Sequence, residues 1–102
     1  MLVSFSDRVE VPTHVMVRFL DKESVFLNLD TERYYGLDET GTRMWQVVTA
    51  APSIEYAHAE LLREFDVGAE LLRQNLSEFV AWLVDIGLLR VHLADVGTNS
   101  AI

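Results

Sequence analysis

Three histidines and one pair of adjacent carboxylates are the side chains of this sequence best suited to chemistry. No two of His14, His58 and His92 lie at the i, i+4 or similar spacing that a metal site needs. Asp38 and Glu39 could act as an acid and a base, but the start of a helix explains both residues without chemistry. We therefore expect neither a metal site nor an acid–base pair.

Other catalytic and cofactor-binding patterns are also absent from the sequence. There is no cysteine, which excludes disulfides, thiolate metal ligands and cysteine nucleophiles. Gly36 and Gly41 are isolated, so no glycine-rich phosphate loop is present, and no serine lies in a GxSxG setting. We predict that the chain is not an enzyme and that it uses no cofactor.

The charge of the chain limits its partners. Sixteen acidic residues against eight lysines and arginines give a formal net charge of -8. Nucleic acids and anionic membranes attract clustered cations, whereas the arginines here are scattered and Lys22 is the only lysine. We therefore expect neither a nucleic acid nor an anionic membrane as a partner. No signal peptide is apparent and no apolar run approaches ~20 residues, which favours a cytoplasmic location.

The length of 102 residues and the 50% hydrophobic content predict one domain. We divide it into an N-terminal arm (1–12), a core (13–93) and a frayed tail (94–102). Short connections between alternating, β-branched segments predict an antiparallel meander. The predicted strands are 14–20, 24–29 and 33–37, with short additional strands at 9–11 and 88–93.

Three helices follow the meander. Asp38 is a good N-cap for the first, which should end by Ala51, and Ser53 caps the second. The third runs from about Ala69 to Ile86, and Gly87 is a natural stop. On the apolar face of the second helix, we expect His58 to be a hydrogen-bonded residue at the edge of the core.

The third helix has an apolar arc that covers well over half of its circumference. A helix packed on one neighbour needs a stripe nearer ~100° wide. Packing against two helices and the sheet would explain the arc, and so would an exposed groove wall. We interpret Trp45 and Trp82 as core residues. The central line of the arc is Leu72, Leu76, Phe79, Leu83 and Ile86, widened by Val80 and Val84 on one side and by Leu71 and Trp82 on the other.

Tyr34 and Tyr35 stand side by side in the last strand of the predicted meander. Adjacent strand residues point to opposite faces, so one tyrosine can be core and the other is exposed unless something covers it. The pattern does not decide which tyrosine is which, because Thr31-Glu32 is a poor match to the usual hairpin turns.

The segment SVFLNLD, followed by TERYYGLDETGTRMW, LLREFDV and WLVDIGLL, resembles the family of coenzyme PQQ synthesis protein D, also called the RiPP recognition element. The resemblance extends from about Pro12 to Leu89. It implies an α+β fold, a winged helix-turn-helix in which a three-stranded antiparallel sheet is followed by three helices.

The resemblance also implies a function. Members of the family bind the leader of a ribosomally synthesised, post-translationally modified peptide as an extra strand between strand three and helix three. The implied partners are a precursor leader peptide and a leader peptidase or other modifying enzyme. The implied leader-binding residues are Arg33, Tyr34, Tyr35, Gly36 and Leu37 on the strand, and Leu72, Asn75, Leu76, Phe79, Val80 and Leu83 on the helix.

Several alternatives stay open at this point. A lasso peptide pathway is favoured over a radical-SAM pathway of the PQQ type. The winged helix-turn-helix is also a DNA-binding architecture, but the predicted third helix offers Arg73 against Glu70, Glu78 and Asp85. A self-associating structural subunit would equally use an open strand edge, although we favour a monomer.

Overall fold

The computed structural model of the protein describes residues 3–92, and these residues form an α+β domain. This confirms the predicted three-stranded antiparallel sheet followed by three helices, an order compatible with a winged helix-turn-helix. The predicted tail, 94–102, lies outside the described residues. The elements are β1 (Arg8–Glu10), β2 (Val15–Leu20), β3 (Glu23–Asn28), β4 (Arg33–Leu37), α1 (Glu39–Ala50), α2 (Ile54–Glu64), α3 (Ala69–Asp85) and β5 (Arg90–His92).

The strands form two separate sheets. The first has the order β2-β3-β4, as expected for a meander. The second consists of β1 and β5, which pair antiparallel with Val9 opposite Val91. Both short strands were predicted, but their pairing with each other was not. The second sheet joins the N-terminal arm to the chain that leaves α3.

Alternation along β3 divides the main sheet into two faces. Ser24, Phe26 and Asn28 are buried and form the inner face, which packs on α1. The Phe26 ring meets Trp45 edge to face, with ring centroids 4.5 Å apart. Nearby, the Ser24 hydroxyl lies 2.6 Å from that of Thr42, which satisfies both buried groups. On the outer face of the sheet, Met16 and Tyr34 are largely exposed.

The helices begin and end at the predicted signals. Asp38 Oδ1 accepts a hydrogen bond from the Gly41 N–H at 2.8 Å, and the Ser53 hydroxyl accepts one from the Tyr56 N–H at 3.3 Å. These caps satisfy N–H groups that have no partner inside the helix. Gly87, at φ 81°, ends α3 in the left-handed conformation that glycine adopts without strain.

The N-terminal arm completes the first turn of α2. The N–H groups of Ile54 and Glu55 donate to the carbonyl oxygens of Asp7 and Phe5, at 2.9 and 2.8 Å. His58, on the same helix, is buried, and its Nε2 lies 3.0 Å from the Ala69 carbonyl oxygen. This agrees with the predicted hydrogen-bonded role of His58. The arm and this histidine therefore hold α2 against the start of α3.

Across residues 3–92, no helix combines the length and the apolar character that crossing a membrane requires.

Candidate functional site

Strand β4 is an edge of the main sheet, because in residues 3–92 it pairs only with β3. The Leu29 N–H donates to the His14 carbonyl oxygen, so the polar backbone groups of Leu29 face β2. Since these groups alternate along a strand, Asn28 faces β4, and its carbonyl oxygen accepts from Glu32. Continuing this alternation through the β3–β4 pairing, the N–H and C=O groups of Tyr34 and Gly36 point outward from the sheet.

The two adjacent tyrosines lie on opposite faces of the sheet. Tyr34 shares the outer face with Leu27 and is 71% exposed. Tyr35 is on the inner face, where its ring meets Trp82 of α3 edge to face at 6.3 Å between centroids. The structure thus assigns Tyr35, and not Tyr34, to the side of the sheet that faces α3.

The prediction that Trp82 is a core residue is wrong. Its side chain is 42% exposed and borders the space between α3 and β4. Burying an indole ring removes more apolar surface from water than burying most other side chains, so an open tryptophan beside a strand edge is a strong binding feature. The sequence signal was present, since Trp82 lies on a flank of an arc too wide for one neighbour.

Other residues lie on the same side of α3 as Trp82. At 100° per residue, Asn75 and Phe79 fall within one narrow stripe with it. Asn75 is exposed and Phe79 is half-buried. We name the surface between β4 and α3 that is lined by Tyr35, Asn75, Phe79 and Trp82 the cleft. It combines three aromatic rings, one amide side chain and the unpaired backbone of β4.

Five of the residues predicted to bind the leader are buried in the structure. Leu76, Val80 and Leu83 have no exposed surface, and Leu72 is also buried. Leu72, Leu76 and Leu83 occupy the middle of the apolar arc, where α3 packs on the rest of the domain, and Val80 lies on one flank of it. Leu37, at the end of β4, is buried as well. We therefore leave all five out of the cleft and assign them the role of holding α3 and β4 in place.

Two side chains tie the end of α3 to the main sheet. Asn28 Nδ2 donates to the Ile86 carbonyl oxygen at 3.1 Å, and His14 Nε2 lies 3.0 Å from the Gly87 carbonyl oxygen. Asn28 Oδ1 also accepts from the N–H of Asp30, in the loop that leads into β4. These contacts fix the separation of β4 and α3 at one end of the cleft.

The charges on α3 argue against binding of a nucleic-acid phosphate backbone by this helix. Arg73 forms a bidentate pair with Glu55 of α2, with N–O distances of 3.0 and 3.2 Å. The hydrogen bond from Arg73 lowers the pKa of Glu55, so the carboxylate stays charged and the guanidinium stays paired. The other charged side chains of α3 are acidic: Glu70, Glu78 and Asp85.

The aromatic and amide side chains of the cleft are suited to binding. In the part of the chain that the structure describes, no three histidine or carboxylate side chains are grouped so as to hold a metal ion. An edge strand beside an apolar helix face is suited to an extended peptide, which pairs through its main chain and places alternate side chains in the cleft.

Comparison with known proteins identifies a family and similar solved structures. The family model described as coenzyme PQQ synthesis protein D (PqqD) matches residues 23–89. The solved structure of TbiB1 in complex with the TbiA(beta) leader peptide is 27% identical and has a TM-score of 0.75, covering 79% of this chain and 94% of that chain. A lasso peptide synthetase B1 complexed with its leader peptide, 18% identical, shares the fold, with a TM-score of 0.74 and coverage of 81% and 98%. No curated protein sequence matches the chain significantly.

Proposed function

This chain belongs to the family of coenzyme PQQ synthesis protein D, and we propose that it binds the leader segment of a ribosomally made precursor peptide. The leader adds as a further strand to the outward edge of β4 and lies in the cleft between β4 and α3. The observation that carries this proposal is a strand edge that has no partner strand within residues 3–92 and lies directly beside the half-exposed ring of Trp82.

Main-chain pairing supplies the register of the bound leader. The outward N–H and C=O groups of Tyr34 and Gly36 are the groups that an added strand would pair. Such bonds depend little on the leader's sequence, because every residue except proline offers the same donor and acceptor. Selectivity must therefore come from side chains.

The cleft offers side-chain anchors. Phe79, Trp82 and Tyr35 can take apolar leader residues, and Asn75 can hydrogen-bond a polar group. An extended leader loses conformational freedom on binding, which offsets part of this gain. We expect dissociation constants roughly between nanomolar and micromolar, with the tighter values requiring one or two anchored apolar side chains.

A lasso peptide pathway fits best, because the solved relative at 27% identity is bound to a leader peptide and the other relative is a lasso peptide synthetase B1. We propose that the bound leader is presented to a separate leader peptidase. A radical-SAM enzyme of the PQQ type is the alternative partner. Co-purification of this chain with each candidate enzyme, with and without leader, separates the two pathways.

The role we propose is non-catalytic: the chain holds the leader while a partner acts on it. DNA binding is disfavoured because Arg73, on α3, is paired with Glu55 and the remaining charges of that helix are acidic. Self-association through β4 is a further alternative. A mass measured in solution that stays monomeric as concentration rises, together with leader binding, rejects it.

The decisive experiment is fluorescence polarisation with labelled leaders from precursor genes next to the gene of this protein. Trp82→Ala removes an anchor of the cleft, and we expect it to weaken binding at least about tenfold. Tyr56→Ala is the matched control, because Tyr56 is another exposed aromatic residue on a helix but lies on α2, away from β4. Equal affinities of both variants and the wild type, or no binding by the wild type, would contradict the proposed function.

A further inference from the structure

Gly36 is a glycine that the fold itself does not require. Its φ is outside the left-handed region, and a Cβ atom added there would meet only the Ser24 carbonyl oxygen, at 3.9 Å. That distance is an ordinary van der Waals contact. Glycine in a strand interior is destabilising, because it loses more conformational freedom on folding and has no side chain to pack. Its position in the middle of β4 therefore calls for another explanation.

The surroundings of Gly36 suggest that explanation. It lies on the outer face of the sheet, directly opposite Val25 of β3, and its neighbour on that face of β4 is Tyr34. Val25 is half-buried and Tyr34 is largely exposed. The missing side chain thus leaves a notch at the open edge, with Val25 across the strand pair and Tyr34 two residues along the same face of β4.

We propose that this notch is a second specificity subsite, which takes one large apolar side chain of the bound leader, best an aromatic ring. The proposal rests on the proposed function. When a strand is added to β4, the leader residue opposite Gly36 points to the same face as a side chain at position 36 would. This holds in every register, because some residue of the added strand always lies opposite Gly36.

The dimensions of a sheet suit an aromatic ring at this position. Neighbouring strands lie about 4.8 Å apart, so a ring that leans across Gly36 reaches the methyl groups of Val25. Aromatic and β-branched residues pair favourably across strands. An aromatic ring on one strand can also cover a glycine of the neighbouring strand and offset the packing that the glycine lacks. A side chain at position 36 would occupy this space. The exposed Tyr34 ring then covers the second side of the bound residue.

The subsite lies on the face of the sheet opposite the cleft. Alternate side chains of one extended leader would therefore be recognised on both faces: one set by Trp82 and Phe79, the other by Gly36 and Tyr34. A leader with apolar residues on only one side of its strand would use only half of the available contacts. Selection on both faces also fixes the register, since a slip by one residue would exchange the two sets.

The test is a double-mutant cycle between Gly36→Val and alanine substitutions at each large apolar residue of a leader that binds the wild type, measured by fluorescence polarisation. For one leader position, we expect alanine to weaken wild-type binding about five- to tenfold. Gly36→Val should weaken binding of the intact leader by a similar factor. The Gly36→Val protein should bind the leader that carries alanine at this position at least as tightly as the wild-type protein does.

Stability distinguishes this effect from damage to the fold. We expect Gly36→Val to have an unfolding midpoint equal to or above that of the wild type, because valine favours strands and nothing crowds its Cβ. Val25→Ala, at the far side of the notch, should reduce the affinity that the same leader side chain contributes. The control Met16→Ala, on the same face but on β2, should not.

Each outcome has a defined meaning. If the Gly36→Val protein binds every leader variant with the affinity of the wild type, or loses the same factor in affinity for every variant, the subsite is overturned and the proposed function stands. No leader binding by the wild type overturns both. Coupling between position 36 and one leader residue, at undiminished stability, supports the subsite.

Discussion

The Nδ2 atom of Asn28 lies 3.1 Å from the carbonyl oxygen of Ile86, which joins the end of β3 to the C-terminal end of α3. The same side chain accepts hydrogen bonds from the N–H groups of Asp30 and Thr31, at 3.0 and 3.3 Å. One buried amide therefore organises the loop that leads into β4 and also holds α3 at its distance from that strand. The width of the cleft at this end depends on Asn28.

Asn28→Asp separates these two roles of the side chain. Aspartate keeps oxygen acceptors for the loop but loses the donor to Ile86 and places a negative charge near that carbonyl oxygen. We expect a loss of about 2–3 kcal/mol in the free energy of unfolding, because a buried polar group is left unsatisfied. Urea denaturation at pH 7 measures it. Unchanged stability would show that the bond from Asn28 to Ile86 contributes little.

Gly87→Ala should destabilise the domain for two reasons. Its φ of 81° is unfavourable for alanine, and a Cβ atom there would lie 2.7 Å from Asn28 Nδ2. We expect a loss of about 1–3 kcal/mol in the free energy of unfolding. Gly36→Ala is the matched control, since its φ is ordinary and its Cβ has room. Equal denaturation midpoints for the two variants would contradict this account.

Leu76→Ala should mainly lower the stability of the domain, whereas Trp82→Ala should mainly lower its affinity for the leader. Leu76 is fully buried, so its truncation leaves a cavity and should cost about 2–5 kcal/mol of stability. Trp82 is partly exposed, so its removal should cost less stability but more leader affinity. Chemical denaturation and leader titration of both variants test this contrast. A Leu76→Ala protein that remains folded and binds leader with wild-type affinity would confirm that Leu76 acts only in the core.

Acid should destabilise the domain partly through Glu64. Hydrogen bonds from Arg43, at 2.6 and 2.8 Å, lower the pKa of Glu64 below its ordinary value of 4.5. A carboxylate with a lowered folded-state pKa stabilises the fold above its unfolded-state pKa, and this contribution is lost as pH falls through the folded value. Glu64→Gln should therefore lower the thermal midpoint at pH 7 and reduce its fall between pH 5 and pH 3.

The control for the acid experiment is Asp66→Asn, an exposed carboxylate in the loop between α2 and α3. The structure shows no salt bridge for Asp66 within residues 3–92. Its substitution should leave the pH profile close to that of the wild type. A Glu64→Gln profile parallel to the wild-type profile would show that the pair with Arg43 is too solvent-exposed to affect stability.

Local signals in the sequence predicted the element boundaries well. Asp38 and Ser53 cap helices, and Gly87 ends one, through contacts within a few residues along the chain. The pairing of β1 with β5 had no such signal, because Arg8 and His92 are brought together only by the whole fold. Short strands can be recognised from their composition, whereas a partner strand far away in the sequence cannot.

The cleft was predicted less completely than the fold. The apolar arc of α3 was recognisable, but periodicity does not tell which flank of the arc remains open, so Trp82 was wrongly predicted to be a core residue. The faces of Tyr34 and Tyr35 depended on the loop of residues 29–32. In that loop Glu32 adopts a φ of 61° without the glycine that usually marks such a position. Tertiary packing decided both points.

The pairing of Arg8 with His92 brings the N-terminal arm and the segment that follows α3 onto neighbouring strands, about 5 Å apart. Neither β1 nor β5 belongs to the sheet that contains β4. Substitutions in the small second sheet should therefore change the stability of the domain more than its affinity for a ligand of the cleft.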